Sequence, residues 1–190
     1  ICVGAEWNFG RGRTGNVGLL QTMGAELGFT VDGVPAVLSE DGEVISSTLV
    51  RRAIEVGDFE RAEELLGREY TVLGDVVEGR QLGRTIGFPT ANLSVHSEQL
   101  PPSGVYAVRV AFDGESLLGV ANLGARPTVE SDGAKRLLEV HLFDFDREIY
   151  GRSMEVSFGE KLRDEQKFDG LEELKSQIAV DVQAARALLG

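Results

Sequence analysis

Cysteine is nearly absent: Cys2 is the only one in 190 residues, which excludes an internal disulfide framework and any cysteine-rich zinc site. Histidine is scarce too. His96 and His141 are the whole supply and lie far apart, leaving no basis for a histidine metal cluster or a Ser-His-Asp arrangement. No apolar run approaches the roughly 18 residues of a membrane span, and no basic start, apolar core and small-residue cleavage site forms a signal peptide. A soluble cytoplasmic protein with no membrane partner is the expectation. Positive charge is in deficit, with a net of −12, against the basic footprint of nucleic-acid binders. A small anionic ligand is compatible with that charge if backbone N–H groups, a few arginines or a divalent cation meet it locally. An initial methionine is missing as well. Ile1 to Gly4 reads like the middle of a buried strand, so the sequence is expected to be a fragment.

With 42% hydrophobic residues, the chain has enough apolar material for a real core. Its first part reads as α/β. An apolar opening leads to a glycine-rich loop from Gly10 to Gly15, a helical pattern from Val17 to Leu27, and an expected strand at Val34 to Leu38. Trp7 and Phe9 read as core. Ser46, Ser47 and Thr48 precede apolar positions at helical spacing and predict a capped helix start; Asp58 predicts the next cap, and Gly67 its left-handed end. The domain boundary is placed near Gly67 to Glu69, giving units 1–67 and 68–190.

Beyond it the texture changes to short runs rich in Val, Leu, Tyr and Phe, at Tyr70–Val77, Val105–Phe112, Leu117–Leu123, Leu137–Phe145 and Ser153–Phe158. Asp113-Gly114 and Asp132-Gly133 mark connections between them, and the pattern predicts a small antiparallel barrel. Leu171, Leu174, Ile178, Val182, Ala185 and Leu188 or Leu189, following Asp169, draw one apolar stripe on a terminal helix expected to pack on the barrel's outside.

The segment Gly79 to Leu93 carries the densest chemistry. It holds Gly79, Gly83 and Gly87, Arg80 and Arg84, and the tetrapeptide Pro89-Thr90-Ala91-Asn92. No Gly-Lys-Ser/Thr ends it, so it is not a P-loop; the third glycine and following helix of a dinucleotide fingerprint are missing too. Thr90 and Asn92 lie two apart, on the same side of an extended chain, where a hydroxyl and an amide oxygen can meet one Mg²⁺ or one phosphate. The glycines would let backbone approach phosphate oxygens, and the arginines would add charge. The plain alternative is a surface loop with a tight turn. Glu139 sits in a strand-like run whose periodicity does not fix its facing. It reads either as a group that aligns a hydroxyl and accepts its proton, or as a solvent-facing strand residue. Asp144, Asp146, Arg147 and Glu148 read as a solvated hairpin end.

On these residues the chain resembles the prokaryotic bifunctional riboflavin kinase/FMN adenylyltransferases, or FAD synthetases. Gly83-Arg84-Thr85-Ile86-Gly87-Phe88-Pro89-Thr90-Ala91-Asn92-Leu93 is similar to the kinase signature, Leu138 to Leu142 to the block around its glutamate, and Leu162 to Phe168 to the loop before its terminal helix. Gly119 to Thr128 also looks like the family, and together these blocks cover about the last 120 residues. The resemblance implies a six-stranded antiparallel barrel with a C-terminal helix, binding ATP, Mg²⁺ and riboflavin and producing FMN and ADP. It gives Thr90 and Asn92 the metal and phosphate role. Gly83, Arg84, Gly87, Phe88 and Pro89 become the nucleotide flap, Glu139 the base for the ribityl 5′-hydroxyl, and Arg163, Glu165 and Phe168 the flavin-side loop. A non-catalytic flavin-binding or regulatory barrel is the alternative, and a generic protein-contact barrel a third.

The first 67 residues or so resemble part of the family's Rossmann-like adenylyltransferase module. Ser46 to Arg51 matches its Ile-Ser-Ser-Thr-x-x-Arg block, which would turn a helix start with Ser47, Thr48 and Arg51 to ATP phosphates. Val3 to Gly10, with Arg13 and Gly15, fits the preceding block, although Glu6 and Trp7 stand where Asp and Phe are usual, and Asn16 where Asp is common. The family's His-containing phosphate motif belongs upstream of Ile1, so FAD formation is expected of the full-length parent and not of this fragment.

Overall fold

A computed structural model describes residues 1–79, 82–97, 99–126 and 135–190. Arg80 and the Asp132-Gly133 connection lie outside the described residues. Two compact units divide the chain, Ile1–Leu49 and Val50–Gly190.

In the first unit β1 (Cys2–Gly4) pairs in parallel with a later strand, and between them come β2 (Asn8–Phe9), β3 (Gly15–Asn16) and α1 (Val17–Leu27). A parallel pair needs a crossover, and α1 lies within it. The Asn16 side chain accepts from Leu19 N–H to cap α1, and Gly28 closes it at φ 77°. The parallel partner is β4 (Asp32–Val34), not the expected Val34–Leu38. Pro35 explains the difference: it cannot donate to a ladder, so pairing stops before it, and Leu38 keeps only an isolated bridge to Val44. Trp7 is another correction, because it is 44% exposed and stacks on Phe9 at 4.9 Å rather than entering a core.

Next come α2 (Ser47–Val56), whose start is capped by the Ser46 hydroxyl accepting from Leu49 N–H, and α3 (Phe59–Leu66), capped by Asp58 and ended by Gly67 at φ 68°. The barrel follows: β5 (Thr71–Val77), the short helix α4 (Leu82–Thr85), β6 (Ala91–Val95), β7 (Gly104–Phe112), β8 (Glu115–Arg126), β9 (Lys135–Leu142) and β10 (Ser153–Arg163). These six strands close antiparallel in the order β10-β5-β6-β9-β8-β7. β6, hidden in the glycine segment, adds the strand that the hydrophobic runs alone did not reveal. The β7–β8 turn is built on Asp113-Gly114, both at positive φ (50° and 81°), with Phe112 paired to Glu115.

Alternation fills the barrel: Val72, Val76, Leu93, Val108, Leu138 and Val140 point inward and are at most 2% exposed. Side chains one position out of phase therefore face outward. On β7 and β8 that outer face is apolar too, and α5 (Leu171–Leu189) covers it. Val105, Ala107, Val120, Phe143 and Ala185 form this second core, with Val182 and Leu189 packed on it. Of the two alternatives that end the expected stripe, Leu189 packs and Leu188 stays exposed, while Leu171 at its start is exposed as well.

Two buried tyrosines give the unit a pH dependence. Burial pushes the Tyr70 and Tyr106 phenols up to about 12, with Arg136 pulling weakly the other way. Their hydroxyls donate to the carbonyls of Gln99 (2.6 Å) and Pro102 (2.7 Å). Unfolded tyrosine ionises near pH 10. A raised folded value means the contribution is complete below about pH 10 and is lost as pH rises through about 12. Thermal melts should show the melting temperature falling more steeply between about pH 10 and about pH 12 than it does in Tyr70→Phe. Equal slopes would remove Tyr70 from the effect.

Candidate active site on the barrel's outer face

Register assembles the site. On β6 Asn92 is opposite Glu139 of β9; Glu139 is opposite Asn122 of β8, Asn122 opposite Val105 of β7, and Val105 opposite Arg163 of β10. One row thus runs outward-facing across five strands, Asn92, Glu139, Asn122, Val105 and Arg163. Adjacent members are about 4.8 Å apart, the strand spacing. The inward alternation of Leu138 and Val140 fixes the facing of Glu139 that periodicity had left open. Thr90, just before β6, and His141, two residues after Glu139, extend the polar end.

Over that end, residues 82–89 of the glycine segment run as an arch. The Gly83 carbonyl accepts from Ile86 N–H (3.2 Å) and Phe88 N–H (2.8 Å), and Gly87 turns the chain at φ 90°. His141 holds its far foot. Since a carbonyl can only accept, the Nδ1···Pro89 O contact of 2.8 Å makes Nδ1 the protonated ring nitrogen, while Phe88 meets the same ring edge-on at 5.4 Å. At the near foot the absence of a side chain at Gly79 matters, because a Cβ there would stand 2.1 Å from Asn92 Nδ2. A Cβ at Gly83 would meet the Phe88 carbonyl at 2.3 Å.

Two cavities open beside the arch. One of about 340 Å³ is lined by Gly83, Phe88, Thr90, Asn92, Asn122, Glu139 and His141, with Arg163, Glu165, Phe168, Leu174, Ile178 and Asp181 on its far side. Another of about 300 Å³ is lined by Arg84, Pro89, Thr90, Ala91, Val140 and the turn from Phe145 to Tyr150. Thr90 belongs to both. Asn92 is 6% exposed, and its Oδ1 has no hydrogen-bond partner among the described residues. A buried amide oxygen is normally paired, so this one is suited to a ligand or ion.

The loop after β10 is held by a buried ion pair. Arg163 donates through Nε (3.0 and 3.1 Å) and Nη2 (2.8 Å) to Asp181 of α5, which also accepts from Gln177 Nε2 at 2.9 Å. Its Nη1 donates to the Asp164 carbonyl at 3.0 Å, and the guanidinium lies 5.6 Å from the Phe168 ring centroid. Arg163 thereby fixes the cavity's far wall. Asp181 is 4% exposed, and removing it would strand a partly buried cation. Asp181→Ala should lose about 3 kcal/mol of stability in urea unfolding; a loss under about 1 kcal/mol would mean that Arg163 finds another partner.

Of the residues singled out from sequence, Gly83, Phe88, Thr90, Asn92, Glu139, Arg163, Glu165 and Phe168 share the first cavity, while Arg84, Pro89 and again Thr90 face the second. Gly87 lines neither and shapes the arch. Ser47, Thr48 and Arg51 are exposed on α2 and line neither cavity. The charged turn of Asp146, Arg147 and Glu148 is solvent-exposed, as read, yet it also walls the second cavity. Arg147 lies 4.6 Å over Phe145 and is held by Glu115 through two 2.9 Å bonds. From sequence, no role falls to Asn122, which lies within the Gly119 to Thr128 block, or to Asp181: an Asn inside an apolar run and an Asp on a helix stripe are the signals that could have found them.

Fold and site define a closed antiparallel barrel with one cavity on its outer face and a second that reaches the inward-facing Val76 and Val140, the two sharing Thr90 beside a glycine arch. The chain belongs to the riboflavin kinase family, whose model matches residues 66–189, and a model described as FAD synthetase matches residues 1–49. It is 48% identical over 98% of its length to a bifunctional riboflavin kinase/FMN adenylyltransferase of Pseudomonas fluorescens, covering 59% of that protein. It is also 47% identical to one of Escherichia coli, covering 60% of it. The chain thus spans about 60% of the length of these curated relatives. A solved structure titled a macrolide-efflux protein from Streptococcus pneumoniae superposes with a TM-score of 0.74 at 35% identity, covering 96% of this chain and 58% of that one. Among the described residues no helix is long and apolar enough to cross a membrane.

Proposed function

We propose that this chain transfers the γ-phosphoryl group of ATP to the 5′-hydroxyl of riboflavin, giving FMN and ADP. The observation that carries this reading is the row Asn92–Glu139 beside Thr90, at the point where two cavities meet. A two-substrate transfer needs one pocket per substrate and one shared point of reaction. The first cavity, with Glu139 at one end and Phe168, Leu174 and Ile178 at the other, suits a flat apolar ring carrying a hydroxyl chain. The second, with Arg84 at its rim, suits the nucleotide.

Glu139 accepts the proton of the 5′-hydroxyl as that oxygen forms its bond to the γ-phosphorus; the bond from γ-phosphorus to the β,γ-bridging oxygen breaks, and ADP leaves with its electron pair. Glutamate is a weak base against an alcohol, so its main service is alignment, with proton transfer late. The arch excludes water from the transfer. Mg²⁺ fits the donor set, since Thr90 Oγ1 and the unpartnered Asn92 Oδ1 are hard oxygens and this ion takes few protein ligands when phosphates supply the rest. When bound, it neutralises charge developing on the phosphates.

Residues 1–67 are read as part of an FMN adenylyltransferase module and 68–190 as the kinase module, a division supported by where the two family models match. The full-length parent would adenylylate FMN to FAD. A cytosolic location suits the single cysteine. Incubation with riboflavin, ATP and Mg²⁺ followed by separation of flavins and nucleotides should give FMN and ADP in equal amounts. Flavin binding without ADP release would select the non-catalytic barrel instead.

A further inference from the structure

Asn122 is the polar member of the row used neither in the transfer nor, like Arg163, in holding the cavity's far wall. Its place is set by backbone pairing: β8 puts it between Glu139 on one side and Val105 on the other, and it lines the first cavity. Toward Glu139 the cavity is polar and ends at the reaction point. Toward Val105 it gains an apolar wall from Leu174 and Ile178 of α5 and from Phe168, beside the mutually paired Arg163 and Asp181 and the Glu165 carboxylate. A ligand with a flat ring at the apolar end and a reacting hydroxyl at Glu139 must pass its connecting chain over Asn122.

The lengths agree. Strand spacing puts Asn122 about 4.8 Å from the Glu139 position. A five-carbon polyol in extended zigzag spans roughly 5 Å from first to last carbon at ordinary C–C bond lengths. The secondary hydroxyls, not the terminal one, therefore lie beside the amide. An asparagine offers an acceptor oxygen and two N–H donors, which matches adjacent hydroxyls that each donate and accept. Val120, two residues earlier on the same face, offers neither, so this strand reads the polyol through Asn122 alone.

We infer that Asn122 determines specificity for the secondary hydroxyls of the ribityl chain, an inference that rests on the riboflavin kinase reading. The effect should be on discrimination between flavins and not on nucleotide use, because a site built to bond hydroxyls loses most with a substrate lacking them.

The test compares riboflavin with its hydroxypentyl analogue, which keeps the ring and the terminal hydroxyl and lacks the secondary ones. The unaltered chain should favour riboflavin in kcat/KM by about 100-fold. In Asn122→Ala, kcat/KM for riboflavin should fall roughly 10-fold, the analogue should change less than about threefold, and KM for ATP should stay the same. If that variant does not fold, Asn122→Ser makes the same comparison and should retain part of the preference. An equal fall with both flavins would overturn the inference alone, as would an unaltered chain that uses both flavins equally well. Phosphorylation of neither flavin by the unaltered chain would overturn the kinase reading, and this inference with it.

Discussion

Replacing Glu139 by Gln should lower kcat for FMN formation by about 10²–10⁴-fold, the range over which a positioned acid–base group contributes. The substitution keeps the size and planarity of the side chain and removes the proton acceptor. Leu138 and Val140, which bury the strand, are untouched, so stability should change by no more than about 1 kcal/mol. Affinity for ATP should survive, because the second cavity is lined by other residues. Kinetics with saturating riboflavin and ATP, alongside thermal melts, separate the two effects. A folded variant that keeps kcat within threefold would take Glu139 out of the chemistry and leave only its place in the row.

That row explains why the sequence disclosed the parts of the site more readily than their assembly. Thr90 and Asn92 are two residues apart, so their common side follows from strand geometry alone. Glu139 is nearly fifty residues away, and its facing depends on a register, Asn92 opposite Glu139 and Glu139 opposite Asn122, that only barrel closure sets. Caps and turns were legible because each is local: Asp58 and Gly67 bound α3, and Asp113-Gly114 makes the β7–β8 turn. β6 was obscured because it is short, begins two residues after Pro89, and carries the buried polar Asn92 where an apolar residue would have marked a strand. Val34–Leu38 looked like a strand on hydrophobicity, yet Pro35 denied it a ladder donor. Asp181 was hidden for a related reason. An acidic residue within a helical stripe reads as surface until a half-buried Arg163 from another element is seen to meet it.

The second large effect is expected at a residue that takes no part in the reaction. Gly79→Ala adds one methyl group, and Gly79 does not have a positive φ, so the backbone itself accepts alanine. The obstacle is Asn92: the new Cβ would stand 2.1 Å from Nδ2, 2.5 Å from Cγ and 2.8 Å from Oδ1. No sound contact is that short. Asn92 has little freedom to yield, since β5 and β9 fix its backbone through Val77 and Glu139, and its side chain is only 6% exposed. Either the amide turns away from Thr90 or the foot of the arch is pushed outward. A displacement near 1 Å in a reacting constellation costs about 10²-fold in rate, and that is the fall expected in kcat. The unpartnered Oδ1 makes the cause separable from general damage. Asn92→Ala should lose at least as much activity by deleting the oxygen, and once it is gone the methyl at position 79 has nothing to displace. The double variant Gly79→Ala/Asn92→Ala should therefore be no slower than Asn92→Ala alone, a strongly non-additive cycle between two residues in contact. Losses that multiply would mean that Gly79 acts through the arch and not through Asn92.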